Sequence, residues 1–236
     1  LKYPVFIPGV PRALEKEDHL FECIAAGDIL VHHPYQSFSP VIEMLEQASL
    51  DPDVVAIKQT VYRTGTDSVL MKYLIAAAQK GKEVTVVVEL LARFDEEANL
   101  NWATRLEEVG AHVVYGVVGY KTHAKMLMVV RRERGALRRY VHLATGNYHP
   151  RTARLYTDFG LFTANEAVGR DVDEAFKQLS GDDKKVATEL RKQNKAEREG
   201  QGAFDWGSGG VAVMPPKKMA ADVGHLRDLP EDTVNE

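Results

Sequence analysis

The chain has 236 residues with an apolar fraction of 44%, enough to bury a core in one large domain or two small ones. Its 30 basic and 34 acidic residues leave a net charge of −4, which excludes a generally basic nucleic-acid coat but permits a local cationic pocket. The single cysteine, Cys23, excludes a disulfide framework and fits a reducing, cytoplasmic setting, and the apolar runs are too short for a membrane span.

In chain order, Leu1 to Pro11 carries Pro4, Pro8 and Pro11 and reads as an extended linker, followed by a short helix ending at Gly27. This opening resembles the middle of a longer protein, so 1–27 is read as a lead-in from an upstream region. Asp28 to Tyr35 reads as a strand running into a loop, with His32 and His33 facing opposite sides as structural residues. Ser37 or Ser39 is suited to cap a helix to Ser49 with Pro40 in its first turn, and Asp51-Pro52-Asp53 is a turn.

Strand and helix then alternate. Strands are expected at Val54 to Tyr62, Glu83 to Leu91, His112 to Val117, Lys121 to Val130 and Tyr140 to Ala144. Helices are expected from an Asp67 or Ser68 cap to Gly81 and from Glu96 to Gly110. The pattern predicts an α/β fold of βαβ units with a largely parallel sheet, whose strand ends would gather a ligand. Arg131 to Arg139 reads as a solvated hairpin tip. Residues 181–236 are expected to form a charged, mostly disordered tail.

Lys121, His123 and Lys125 share one face if their stretch is a strand. A neutral imidazole can attack phosphorus while a neighbouring ammonium holds charge on the phosphoryl oxygens. A strand mouth with polar residues left in water explains the same pattern more simply. Arg63 and Arg93 follow successive strands, where a guanidinium can grip phosphate. Arg63 reads equally as a solvated charge, and Arg93 as the partner of Asp95 or Glu96. Thr145 to Pro150 is either a ligand-approaching loop or a plain turn. On the residues alone Tyr156 reads as core. No phosphate loop, dinucleotide fingerprint or zinc-ligand spacing is present in the sequence.

The stretches 28–38, 57–63, 92–99 and 121–125, with Thr145-Gly146-Asn147-Tyr148, resemble in that order the polyphosphate kinase family, over about Leu1 to Ser180. The resemblance implies the first carboxyl-terminal catalytic domain of that enzyme, with a phospholipase D-like fold over 28–180. It implies transfer of the terminal phosphate of ATP to inorganic polyphosphate through a phosphohistidine at His123, with Lys125 beside it. It places Asn147 and Tyr156 toward the nucleotide. It places Arg63 and Arg93 at a Mg²⁺-phosphate site, which they would serve through phosphate oxygens because a guanidinium has no lone pair for a metal. ATP, ADP and polyphosphate are the implied partners, with no nucleic acid and a homo-oligomer in the full-length enzyme. The second phospholipase D-like domain is missing, so half a site in a truncated chain is expected. A dimeric phosphodiesterase of the phospholipase D type is a rival, disfavoured by Val130 where an Asp is usual; a non-catalytic phosphate-binding remnant is another.

Overall fold

The computed structural model describes residues 6–14, 19–63, 65–89, 96–116, 121–181 and 213–214. The strands are β1 (Ile29–His33), β2 (Val54–Val61), β3 (Glu83–Val88), β4 (His112–Val114), β5 (Lys121–Thr122), β6 (Lys125–Glu133), β7 (Ala136–Ala144), β8 (Asp158–Thr163) and β9 (Val213–Met214). The helices are α1 (Leu20–Ala26), α2 (Ser39–Leu50), α3 (Val69–Gln79), α4 (Glu96–Glu108) and α5 (Glu166–Ser180).

Seven strands form one sheet in the order β1-β8-β7-β6-β2-β3-β4. The expected βαβ units are β2-α3-β3 and β3-α4-β4, whose strands pair in parallel. Beyond them the sheet is mixed, because β6, β7, β8 and β1 each pair antiparallel to their neighbours. Five of the seven strands still run in one direction, with β6 and β8 reversed. The ends of β1, β2, β3 and β7 therefore share a rim with the starts of β6 and β8.

One core cluster joins α1 to α4 to the sheet through Phe21, Leu45, Leu74, Leu106, Leu127 and Phe162. A smaller one puts Val172 and Phe176 of α5 against Met126, Met128 and Val141 on the other face. Leu20, Phe21 and Ile24 lie in the main core, so α1 is part of the domain rather than a lead-in. Upstream of it, Gly9 donates to Tyr35 O and accepts from Ser37 N, which ties that stretch to the loop after β1.

Local chemistry explains the helix ends. Ser68 Oγ accepts from Met71 N, and Asn165 Oδ1 accepts from Ala167 N and Val168 N. Gly181 closes α5 at φ 74°, a left-handed conformation that suits glycine. At α2 the cap position falls on Phe38, while Ser37 Oγ accepts from Ser39 N one residue outside it.

Two expectations are corrected here. Residues 131–139 form the expected hairpin tip, exposed at Arg132 and at 134–137, but both strands run through it to a two-residue turn at Arg134 and Gly135, both with positive φ, so the later strand starts at Ala136 and not Tyr140. Two of its arginines are engaged: Arg131 pairs with Asp51 at 2.7 Å and Glu133 at 3.0 Å, and Arg139 pairs with Asp173 at 3.2 Å. Nor is Lys121 to Val130 one strand. It breaks at His123 and Ala124, because side chains take the backbone groups on either side. Glu89 Oε2 accepts from Thr122 N at 2.6 Å, and Thr60 Oγ1 donates to Ala124 O at 2.7 Å and accepts from Met126 N at 3.0 Å. Of residues 182–236, only Val213 and Met214 are described, paired antiparallel with Thr122 and Lys121; the expected tail otherwise lies outside the described residues.

Candidate active site

His123 sits in the break between β5 and β6, and Lys125 opens β6. Lys125 Nζ is 3.0 Å from each ring nitrogen of His123 and donates to His123 O at 2.6 Å. The two side chains meet as expected, but through a folded-back lysine and not through a shared strand face. The Tyr62 ring stands edge-on to the imidazole at 5.1 Å, with Lys125 Nζ 5.4 Å and the Arg63 guanidinium 5.6 Å from its centre. The aromatic face is a site for cations, so Tyr62 holds both charges beside His123.

Partial burial of its ring lowers the pKa of His123, and Lys125, Lys121 and Arg63 lower it further. As a residue His123 remains exposed to solvent. Burial also pulls Lys125 down to about 8, with Asp158 opposing and Arg63 reinforcing. At pH 7 the pair is therefore a neutral imidazole beside a mainly charged ammonium. That combination suits a nucleophile facing an anionic centre.

The far side of the rim is built by β7, β8 and the loop between them. The register aligns Lys125 with Ala144, Ala144 with Gly160, and Asp158 with His33. Thr145 Oγ1 donates to Asp158 Oδ1 at 2.8 Å, which fixes the carboxylate that attracts Lys125. Gly146 is needed there, since a Cβ would lie 2.4 Å from Asp158 Oδ2. Asn147 belongs to this loop, and its Oδ1 is enclosed without a hydrogen-bond partner among the described residues. No described contact links Asn147 to His123.

Tyr156 corrects the core reading: it is 63% exposed, two residues before Asp158. Arg93 lies outside the described residues. Of the two histidines expected to be structural, His32 stacks on Phe159 at 4.5 Å and His33 Nδ1 lies 2.8 Å from Gln36 O. The sequence reading missed Thr60, Tyr62, Glu89 and Asp158. A signal for Glu89 was available in the lone carboxylate ending the apolar run Val84 to Val88.

The described residues hold no cluster of three or more His, Cys, Asp or Glu side chains able to cage a metal. The donors at His123 are cationic, and Glu89 and Asp158 are engaged by Thr122 and Thr145. Among the described residues, the side chains therefore do not fit a resident Mg²⁺, which needs oxygen ligands.

Residues 19–185 match the family described as Polyphosphate kinase C-terminal domain 1. The chain belongs to the polyphosphate kinase family. It is 64% identical over 185 residues to a polyphosphate kinase of Burkholderia vietnamiensis (strain G4 / LMG 22486), which covers 77% of this chain and 27% of that protein. The crystal structure of polyphosphate kinase from Porphyromonas gingivalis is similar with a TM-score of 0.66 and 39% identity, over 74% of this chain and 29% of that one. Nuc, a phospholipase D family member from Salmonella typhimurium, matches with a TM-score of 0.51 and 16% identity over 65% of this chain and 93% of that one, which shows the shared fold. The chain thus spans about a quarter of the length of a polyphosphate kinase, and its fold is phospholipase D-like. No described helix is long and apolar enough to cross a membrane.

Proposed function

We propose that this chain carries half of a phosphotransfer site, which takes the γ-phosphoryl group of ATP onto His123 and delivers it to inorganic polyphosphate. The carrying observation is the contact of Lys125 Nζ with the imidazole in a setting that keeps His123 neutral and Lys125 charged. A ring nitrogen attacks the γ-phosphorus, the new N–P bond forms, and the bond to the bridging oxygen breaks with its electron pair leaving on ADP. A terminal polyphosphate oxygen then attacks phosphorus and returns the imidazole. Lys125 and Arg63 offset charge on the equatorial oxygens, and positioning provides much of the remaining acceleration. Arg93 is proposed to join Arg63 on phosphate, and Asn147 and Tyr156 to line the nucleotide side. Magnesium ion enters this reading only as part of the bound triphosphate, and no step is routed through it.

The test is incubation with γ-labelled ATP and Mg²⁺, followed by acid and base treatment of the protein. Acid-labile, base-stable label that disappears in His123→Ala supports the reading. A chain that binds ATP but takes no such label overturns it.

A further inference from the structure

The phosphoryl-accepting ring sits where the ladder stops, so something other than strand pairing must hold it. Glu89 is 3% exposed and Asn99 is fully buried. Glu89 N donates to Val61 O at 2.9 Å, extending the β2–β3 pairing one step past β3. From there its carboxylate reaches across to Thr122 N, the residue before His123. Asn99, from α4, donates through Nδ2 to Tyr62 O at 2.9 Å and to Glu89 O at 3.0 Å. One amide therefore locks the β2 end that carries Tyr62 and Arg63 to the β3 end that carries Glu89.

We propose that Glu89 and Asn99 are positioning residues for His123, a buried clasp that sets the imidazole against Tyr62, Arg63 and Lys125. The carboxylate fixes the backbone entering His123, and the amide fixes the backbone of Glu89 against that of Tyr62, whose ring meets the imidazole edge-on. A displacement near 1 Å at a reacting group is enough to cost about 100-fold in rate. The clasp deepens the proposed phosphotransfer reading, but its geometry is measurable without any chemistry at His123.

The experiment is NMR on the chain and on Glu89→Ala, Glu89→Gln and Asn99→Ala, following Thr122 amide exchange and the pH titration of the His123 ring. The groups facing that ring are Lys125, Lys121, Arg63 and Tyr62. Glu89→Ala is expected to expose the Thr122 amide and release the ring toward water, so its pKa rises toward the ordinary imidazole value. Glu89→Gln keeps an acceptor oxygen and should retain both the protection and the titration. If Glu89 acted only as a charge, Ala and Gln would both lower the His123 pKa, and that outcome overturns the proposal. Unchanged exchange and titration in Glu89→Ala overturns it too. Core amides of Val87 and Leu127 report whether each variant is folded. Should Glu89→Ala fail that check, the His123 titration of Asn99→Ala decides by the same sign. Where the parent chain takes label from ATP, its rate should fall about 100-fold in Glu89→Ala and stay within about threefold in Glu89→Gln. A chain without label refutes the phosphotransfer reading while the NMR arm still judges the clasp.

Discussion

Lys125 and Arg131 lie on the same strand, carry the same charge, and have opposite electrostatics. Arg131, toward the hairpin, is met by Asp51 and Glu133, and the hydrogen bond it donates to Asp51 chiefly holds its charged form more firmly than usual. Burial raises Asp51, but the bonds from Arg131 and the Asp53 amide outweigh it and keep its pKa low. Lys125, at the rim, is buried beside Arg63 with Asp158 as its attractive carboxylate, and its pKa drops. One end of β6 spends its charge on holding the fold. The other retains charge that an incoming anion would relieve, which is how a binding site differs from a brace.

That contrast can be broken most severely at His123. His123→Ala should remove all base-stable label while leaving the thermal midpoint near the parent value, because the ring sits outside the ladder. Lys125→Met should cut the labelling rate by about 100- to 1000-fold, as expected for loss of one transition-state donor, without lowering the midpoint. Arg131→Ala should do the reverse, costing roughly 1–3 kcal/mol by stripping a charged partner from buried Asp51 and leaving the labelling rate nearly intact. Urea titration and initial-rate labelling on the same samples would decide, and equal effects of the two substitutions on both readouts would sink the comparison.

The labelling rate should also trace a bell against pH. It should rise as His123 loses its proton, at a pKa below the ordinary imidazole value, and fall above about 8 as Lys125 loses its charge. An acid limb displaced above the ordinary value would contradict the partly buried, cationic setting.

A smaller effect concerns stability in acid. His142 is fully buried, and burial with His33 nearby pulls its pKa down to about 3. The unfolded chain takes up a proton there that the folded chain refuses. Stability is therefore full above the unfolded imidazole value and declines as pH falls toward 3. His142→Phe should flatten that slope in denaturation curves between pH 7 and 4. Smallest of all, Tyr156→Ala should raise KM for ATP a few-fold without altering unfolding, since its ring is largely in solvent.

Much of the architecture was readable because β2, α3, β3 and α4 each follow one period and end on recognisable caps or glycines. The mixed sheet was harder to see, because Ala136 to Ala144 carries arginines whose partners, such as Asp173, lie far along the chain. The meeting of His123 and Lys125 was legible from spacing, though for a wrong local reason. What spacing hides is the contribution of Thr60, Glu89 and Asn99, single residues on separate elements whose side chains replace ladder bonds. Tyr156 reads as core yet lies in solvent, because an aromatic residue carries the same apolar signal inside and outside.

The interruption at His123 has a bearing on recombination. The two side chains that interrupt the ladder, Thr60 and Glu89, both lie in the β2-α3-β3 unit, whereas the residues they hold lie more than thirty positions later. Exchange of residues 54–89 as one block between relatives would carry both holds together. A crossover inside α3 would draw them from different parents and pit two inherited geometries against each other at the nucleophile. Chimeras cut in that helix should fold from intact strands and still misplace their histidine.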